Sequence, residues 1–437
     1  MAQFNEHSLD WNLSVFYLYR SLIYLALPLL FLRLLWRSIR LPAYRERLLE
    51  RLGFSSYRFD KSLWIHTVSV GETIAAIPLI EIILKENNTW PVMVTTMTPT
   101  GADRVSAAFG HLVKHAYLPY DTTGAIQRFL NRTNPQICLL METELWPNLL
   151  HLCGKRRIPV YLLNARLSEK SARGYRRIVK MTKPMLQSLA GIAAQSNDDA
   201  RRFISLGTFS DRVTVTGNLK FDLQISSQVL SKGFILRQEL SQDRFIWIAA
   251  STHEGEEEMV LAAHETLQKK YPKALLILVP RHPDRFAAVT KRCRQSFKTI
   301  CRSDQNAVNE GTGIYLGDTM GELLTLYAAA DVAFVGGSLI PTGGHNLLEP
   351  AMLSKPILTG PHLFNFAEIS QKLLTAKGLI KVQDGADLGD QLLQLIDDAT
   401  LRHQLGLNAK QVVEANRGAL EKQMNLVRAA LKQVLSG

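Results

Sequence analysis

Short apolar or β-branched runs recur at residues 63–67, 91–96, 136–140, 160–164, 191–195 and 213–216, each separated from the next by a longer stretch of helical character. Two parallel strands cannot be joined by a tight turn, so such alternation predicts βαβ units in which a helix carries the chain back. A second series follows at 245–250, 274–279, 313–316, 332–335 and 356–358. Residues 221–233 carry neither pattern and are the expected linker. The predicted fold is α/β, with a Rossmann-like domain over 51–220 and another over 234–437. Two such domains facing each other across a cleft would offer the carboxyl ends of their strands to a ligand.

A length of 437 residues agrees with two or three domains. Hydrophobic residues at 46% and charged residues at 21% give no compositional case for disorder. Lys plus Arg at 51 against Asp plus Glu at 39 leaves a net +12, which favours anionic partners: nucleic acid, acidic lipid or a phosphorylated substrate. Nucleic acid loses ground because no motif interleaves basic with aromatic residues. Cys138, Cys153, Cys293 and Cys301 form no CxxC pair, so neither a disulfide framework nor a metal site is expected.

Residues 11–32 are almost wholly apolar and aromatic, about the length of a spanning helix, and residues 1–50 as a whole read as a membrane-associated helix with a basic flank. Arg20 near the bilayer centre would cost roughly 2.5–3.5 kcal/mol, so an in-plane or re-entrant anchor competes with a full span. Arg33, Arg37, Arg40, Arg45, Arg47 and Arg51 would then meet anionic headgroups and keep the body on the cytoplasmic side. The alternative is a buried core helix with a basic flank.

Candidate chemistry lies at strand ends. In WIHTVSVGETIAAIPLI, Ser69 and Glu72 have capping-box spacing, so Glu72 either caps a helix or serves as a general base beside a flexible glycine. Glu142 and Glu144 follow another strand and would contact substrate hydroxyls or cap the next helix. Ten Lys and Arg residues between 155 and 183, among them Arg173, Arg176 and Arg177, form either a solvated face or a surface for a phosphorylated acceptor. Arg281 offers a planar fork suited to phosphate, with His282 beside it. Gly336, Gly337, Gly343 and Gly344 permit close backbone approach, and a helix starting near His345 or Asn346 would aim N–H groups at phosphate, with Glu349 in reach of ribose. Neither GxxxxGK[ST] nor GxGxxG occurs, so nucleotide-triphosphate hydrolysis and dinucleotide redox chemistry lose support.

Taken in order over essentially the whole chain, WIHTVSVGE, TTMTPTG, METELWP, NARLSEKS, GNLKFD, VPRHPDRF, GDTMGEL and GGSLIPTGGHNLLEPA resemble the Kdo transferases of lipopolysaccharide biosynthesis. The resemblance implies a two-domain GT-B fold, an acceptor domain followed by a CMP-Kdo-binding domain, and inverting transfer of 3-deoxy-D-manno-octulosonic acid (Kdo) from CMP-Kdo. The acceptor it implies is a tetraacylated lipid A precursor at the cytoplasmic face of the inner membrane, with anionic membrane lipids as further partners. It makes Glu72 the proton acceptor and assigns the nucleotide to Pro280 and Arg281, to Met320, Gly321 and Glu322, and to Asn346, Leu347, Leu348 and Glu349. Glu142, Glu144, Arg173, Arg176 and Arg177 are the candidates for the acceptor side. No cofactor and no metal is expected, since helix amides and Arg281 can meet the charge of a monophosphate leaving group. The competing reading is another GT-B enzyme that acts on UDP-sugars, against which the order of the motifs argues.

Overall fold

The computed structural model describes residues 13–87, 89–241, 243–304 and 306–436. The beginning of the expected membrane segment, including Trp11, lies outside the described residues. The chain divides into two units, one running to Asp222 and rejoined by Arg417–Gly437, the other Leu223–Asn416.

The first unit is built on seven parallel strands: β1 (Ser62–His66), β2 (Val92–Thr96), β3 (Lys114–Tyr117), β4 (Pro135–Met141), β5 (Val160–Ala165), β6 (Gly191–Ala194) and β7 (Val213–Val215), in the order β3-β2-β1-β4-β5-β6-β7. The strands at the middle of the sheet, β1, β4 and β5, are nearly continuous apolar runs because helices cover both faces. Trp64, Cys138, Leu140 and Leu162 enter one buried cluster, and Leu63, Ile65, Ile137, Leu139 and Leu163 enter the other. The helix after β1, Val70–Glu86, packs Ala76, Leu79, Ile80 and Ile83 into the second cluster. The helix after β4, Pro147–Lys155, packs Leu149, Leu150 and Cys153 into the first. The strand order reverses between β1 and β4, so the crossover helices leave on opposite faces and open a crevice at the carboxyl ends of these two strands.

The second unit repeats the plan with β8 (Ile246–Thr252), β9 (Leu275–Pro280), β10 (Thr299–Cys301), β11 (Ile314–Leu316), β12 (Val332–Val335), β13 (Ile357–Thr359) and β14 (Leu379–Lys381), all parallel, in the order β10-β11-β9-β8-β12-β13-β14. Its order reverses between β8 and β12. Every strand expected from the sequence is present within one or two residues. Three were not foreseen. β3, with the sequence KHAY, is too polar to stand out; it is held by the Tyr117 amide donating to Glu50 at 2.8 Å and by the His115 ring against Thr96 at 2.9 Å. β10 and β14 are three-residue edge strands, too short to show a pattern.

The expected domain limits need correction at two places. Part of the 221–233 segment is helical, in Ser227–Glu239, capped by the Ser226 side chain. The final helix, Ala419–Ser436, belongs to the first unit rather than to a 234–437 domain. Asp222 accepts the amides of Gly418 and Leu420, both at 2.7 Å, and Gln423 accepts the Asn164 amide at 3.0 Å. Met424, Val427 and Ala430 then complete the cluster that holds Leu63 and Ile65. An amphipathic helix after the last strand does not reveal in its sequence which sheet it covers.

One helix among the described residues, Leu13–Arg40, is long and apolar enough to cross a membrane by length and composition. It is tied to the first unit by polar contacts: Tyr19 donates to Asp121 at 2.8 Å, Arg20 to Asn148 at 2.9 Å, and Tyr24 accepts from the Gly124 amide at 3.3 Å. Arg20 therefore has a protein partner and an aromatic one, its guanidinium lying 4.2 Å from the centre of the Phe16 ring. Phe16 and Leu34 are buried, whereas Leu18, Leu22, Leu25, Leu29, Leu32 and Trp36 are exposed, so this is not a buried core helix. The arginine series is also split. Arg33, Arg37 and Arg45 are exposed. Arg51, 3% exposed, donates to the Met97 carbonyl at 2.8 Å and stacks on Tyr117. Arg47 binds Glu50 and His115. Arg51 is thus a core residue, and Arg47 a tether of β3, rather than headgroup contacts.

Met424→Ala should destabilise the first unit by about 2–5 kcal/mol, the usual cost of emptying a fully buried site. Hydrogen exchange followed by mass spectrometry should show faster opening across β1, β4 and β5 and unchanged protection in β8, β9 and β12. Uniform loosening of both units, or of the second alone, would contradict the placement of the last helix.

Candidate functional site

At the crevice of the first unit, Glu72 occupies the first turn of the helix Val70–Glu86. Ser69 caps that helix, its hydroxyl meeting the Glu72 amide at 3.5 Å and donating to Glu72 Oε1 at 3.0 Å. The Val68 amide donates to Oε2 at 2.7 Å. The capping role and an exceptional environment therefore coincide. Burial, opposed by the Val68 amide and reinforced by the negative charges of Glu142 and Glu144, pushes the Glu72 carboxyl up to about 7. Such a group is half ionised near neutrality, the condition that suits a general base.

Glu142 and Glu144 stand at the carboxyl end of β4, next to β1 in the sheet. Glu142 adopts a positive φ of 58°, with its amide on the Leu163 carbonyl and its carboxylate 3.5 Å from Lys220. Glu144 accepts from the Trp146 indole at 3.0 Å, and burial raises its carboxyl, with Glu142 adding to the shift. Neither caps the following helix, whose N-cap, Trp146, makes no side-chain capping bond. Arg173, Arg176 and Arg177 are exposed on the helix Glu169–Arg177. That helix reaches the carboxylates through Tyr175: burial, and then the negative charge of Glu144, raises its phenol. The structure thus gathers Glu72, Glu142 and Glu144 and sets the basic helix beside them.

In the second unit, Arg281 follows β9, its amide bonded to the Thr252 carbonyl at the end of β8. Gly337, Gly343 and Gly344 all have positive φ, at 66°, 101° and 75°. A Cβ on Gly337 would lie 2.8 Å from His345 Cδ2, and one on Gly336 would lie 2.8 Å from the Ser251 carbonyl, so these glycines permit close packing of loop on loop. The helix expected near His345 or Asn346 begins slightly later, as Leu348–Met352 with Leu347 at its N-cap. Asn346 accepts the Leu348 amide at 3.1 Å and donates to Glu349 Oε1 at 3.1 Å. Burial raises the Glu349 carboxyl, against the pull of Asn346 and Arg281, so the two residues nominated for ribose and phosphate are neighbours. The turn of Met320, Gly321 and Glu322 stands apart. Met320 is exposed, Gly321 has φ 84°, and Glu322 is bound to Arg302 at 3.0 Å, which holds its carboxyl below the usual range. No hydrogen bond or ion pair among the described residues joins this turn to Arg281 or Glu349. Glu322 instead lines a cavity of about 630 Å³ with Arg302, Tyr315 and Thr319.

Two functional candidates escaped the sequence reading. Glu256, fully buried, accepts four backbone amides at the carboxyl ends of β8 and β12. His253 pairs with His345, Nε2 to Nε2, at 2.8 Å. The available signal was the sequence STHEGEEE directly after an apolar strand, the same position that Glu72 holds after β1. Among the described residues no group of three or more His, Cys, Asp or Glu side chains is placed to hold a metal ion.

A family model described as 3-deoxy-D-manno-octulosonic-acid transferase (kdotransferase) matches residues 46–223. The chain is 42% identical over 422 residues to the 3-deoxy-D-manno-octulosonic acid transferase of Haemophilus influenzae, covering 95% of this chain and 99% of that one. It is 35% identical to the enzyme of the same name from Bordetella pertussis, over 83% of this chain and 86% of that one. Among solved structures, UDP-GlcNAc 2-epimerase from Neisseria meningitidis superposes with a TM-score of 0.57 at 17% identity, over 85% of this chain and the whole of the epimerase, a likeness of GT-B fold alone.

Selective ¹³C labelling of glutamate carboxyls should show Glu72 titrating near 7. Because Glu142 and Glu144 help to disfavour its charged form, replacing both with Gln should move that midpoint down. A Glu72 midpoint at the ordinary value of about 4.3 would contradict the burial described here.

Proposed function

The chain belongs to the 3-deoxy-D-manno-octulosonic acid transferase family, and from that premise we propose that it transfers Kdo from CMP-Kdo to a tetraacylated lipid A precursor. The first unit supplies the base and the acceptor surface, the second the nucleotide site. The observation that carries the reading is Glu72, a buried carboxylate whose affinity for a proton is raised to about 7 at the switch point of the first sheet.

In this reading an acceptor hydroxyl attacks the anomeric carbon of Kdo. A new C–O bond forms, the bond from that carbon to the phosphate oxygen breaks, and CMP departs with the electron pair. The hydroxyl proton passes to Glu72, and the configuration inverts. Glu72 is a strong enough base for the task because its charge is poorly solvated, yet enough of it is ionised near neutrality to act. Arg281 meets the charge of the departing phosphate, and Glu349 engages the ribose, with Asn346 holding Glu349 in place. Pro280, Leu347 and Leu348 shape the same loops, while the Met320–Glu322 turn, bound to Arg302, stands outside these contacts. Glu142 and Glu144 engage acceptor hydroxyls.

The helix Leu13–Arg40 supports a location at the cytoplasmic face of the inner membrane, lying in the plane of the surface rather than spanning it. Its polar contacts with the first unit leave Leu18, Leu22, Leu25, Leu29, Leu32 and Trp36 outward for lipid. It packs against the helix Val179–Gln187, which directly follows the segment bearing Arg173, Arg176 and Arg177, and Ile178 and Val179 are exposed there. Apolar and basic groups on one unit suit an acceptor with acyl chains and phosphates.

Glu72→Gln should lower transfer by about 10²-fold or more while calorimetric CMP affinity stays unchanged; a variant that retains more than about a tenth of the rate would remove Glu72 from the base role. Arg281→Ala and Glu349→Ala should each weaken CMP binding by roughly 1.5–3 kcal/mol, and unchanged affinity in both would move the nucleotide elsewhere. Leu25→Asp combined with Leu29→Asp should abolish flotation with anionic vesicles while circular dichroism and CMP affinity stay as in the wild type. Continued flotation would show that the exposed face of the helix does not meet lipid.

A further inference from the structure

Glu256 is 0% exposed and sits where the second sheet reverses its strand order. Its Oε1 accepts the amides of Ser338 and Leu339, each at 2.9 Å. Its Oε2 accepts those of Gly337 at 2.6 Å and His253 at 3.0 Å. Two donors on each oxygen satisfy a buried carboxylate and tie the loop after β12 to the loop after β8 through one side chain. His253 and His345 hang from these loops. Their rings are parallel within 1°, with centroids 5.0 Å apart and Nε2 atoms 2.8 Å apart. So short an N···N distance needs a proton between the rings, so one must donate from Nε2 and the other accept there. The accepting ring then carries its own proton on Nδ1, and the neutral pair keeps one N–H for a ligand. The His282 ring stands edge-on to His253 at 5.4 Å, and burial, with Arg281 nearby, disfavours a positive charge on His345.

We propose that Glu256 is a positioning residue that holds His253 and His345 in opposite tautomers through one shared proton, and that the pair's remaining N–H joins Arg281 in receiving the phosphate of a nucleoside monophosphate. The ligand half of this inference rests on the second unit being the nucleotide unit. The clamp half rests on the hydrogen bonds alone. Gly337 fits the same account, since any side chain there would collide with His345 and part the rings.

The test uses the full chain labelled with ¹⁵N-histidine, with long-range ¹H–¹⁵N spectra to read tautomers and calorimetry with CMP. The wild type should show one Nε2–H and one Nδ1–H ring for the pair. In Glu256→Gln the amide nitrogen cannot accept, so two of the four backbone donors lose their partner. The tautomer pair should then give way to ordinary mixtures, and CMP should bind at least about tenfold more weakly. His345→Phe keeps a stacked ring and removes the shared proton, and should weaken CMP to a similar degree with an unchanged melting temperature. Should Glu256→Gln fail to fold, Glu256→Asp decides by the same two readouts, keeping the charge but shortening the reach. A folded Glu256 variant with an intact tautomer pair would overturn the clamp. Wild-type protein that does not bind CMP would overturn the nucleotide reading and the ligand half, while the tautomer spectra still judge the clamp.

Discussion

The reversal of strand order in each parallel sheet is the constraint on which the rest depends. Where the order reverses, successive crossover helices leave on opposite faces, and the carboxyl ends of two neighbouring strands remain uncovered. In the first unit this happens between β1 and β4, because the helix after β1 packs on one face and the helix after β4 on the other. In the second it happens between β8 and β12. Glu72 follows β1 and Glu256 follows β8, so in each sheet the chain places a glutamate one short loop beyond a strand at the point of reversal.

The two glutamates differ in what surrounds the carboxylate. Glu256 receives four amides and is spent on architecture. Glu72 receives one amide and one hydroxyl, faces two further carboxylates, and is left with a proton affinity near neutrality. At Glu72 desolvation and the charges of Glu142 and Glu144 outweigh the few donors that meet the carboxylate, whereas four amides meet that of Glu256. The last helix braces the first sheet: Gln423 accepts the Asn164 amide at the end of β5, two strands from β1. The first helix, fastened through Asp121 and Asn148, gives the same unit its exposed apolar face.

Much of the fold was legible because strands buried on both faces have no choice but to be apolar, as in Trp64-Ile65 or Leu275–Pro280. β3 was not, since His115 is held by long-range bonds to Arg47 and Thr96 that leave no local trace. Glu72 was legible as a pair of alternatives, and the structure shows the Ser69 capping arrangement together with a buried Glu72 carboxyl beside Glu142 and Glu144. The roles of Arg47 and Arg51 were misread because an arginine that stacks on Tyr117 inside the protein looks, in sequence, like one that awaits a headgroup. Glu256 was passed over among four acidic residues in HEGEEE, since nothing in a sequence says which carboxylate will meet the amides of a loop eighty residues away.

The central claim is that Kdo passes from a cytidine monophosphate donor to a lipid acceptor in this protein. It is tested most directly by incubating purified protein with CMP-Kdo and the tetraacylated lipid A precursor and weighing the lipid product by mass spectrometry. The account predicts a lipid heavier by whole Kdo residues, formed without added divalent metal, together with free CMP. Lipid of unchanged mass beside intact CMP-Kdo, or a lipid extended only when a UDP-sugar is supplied, would contradict it.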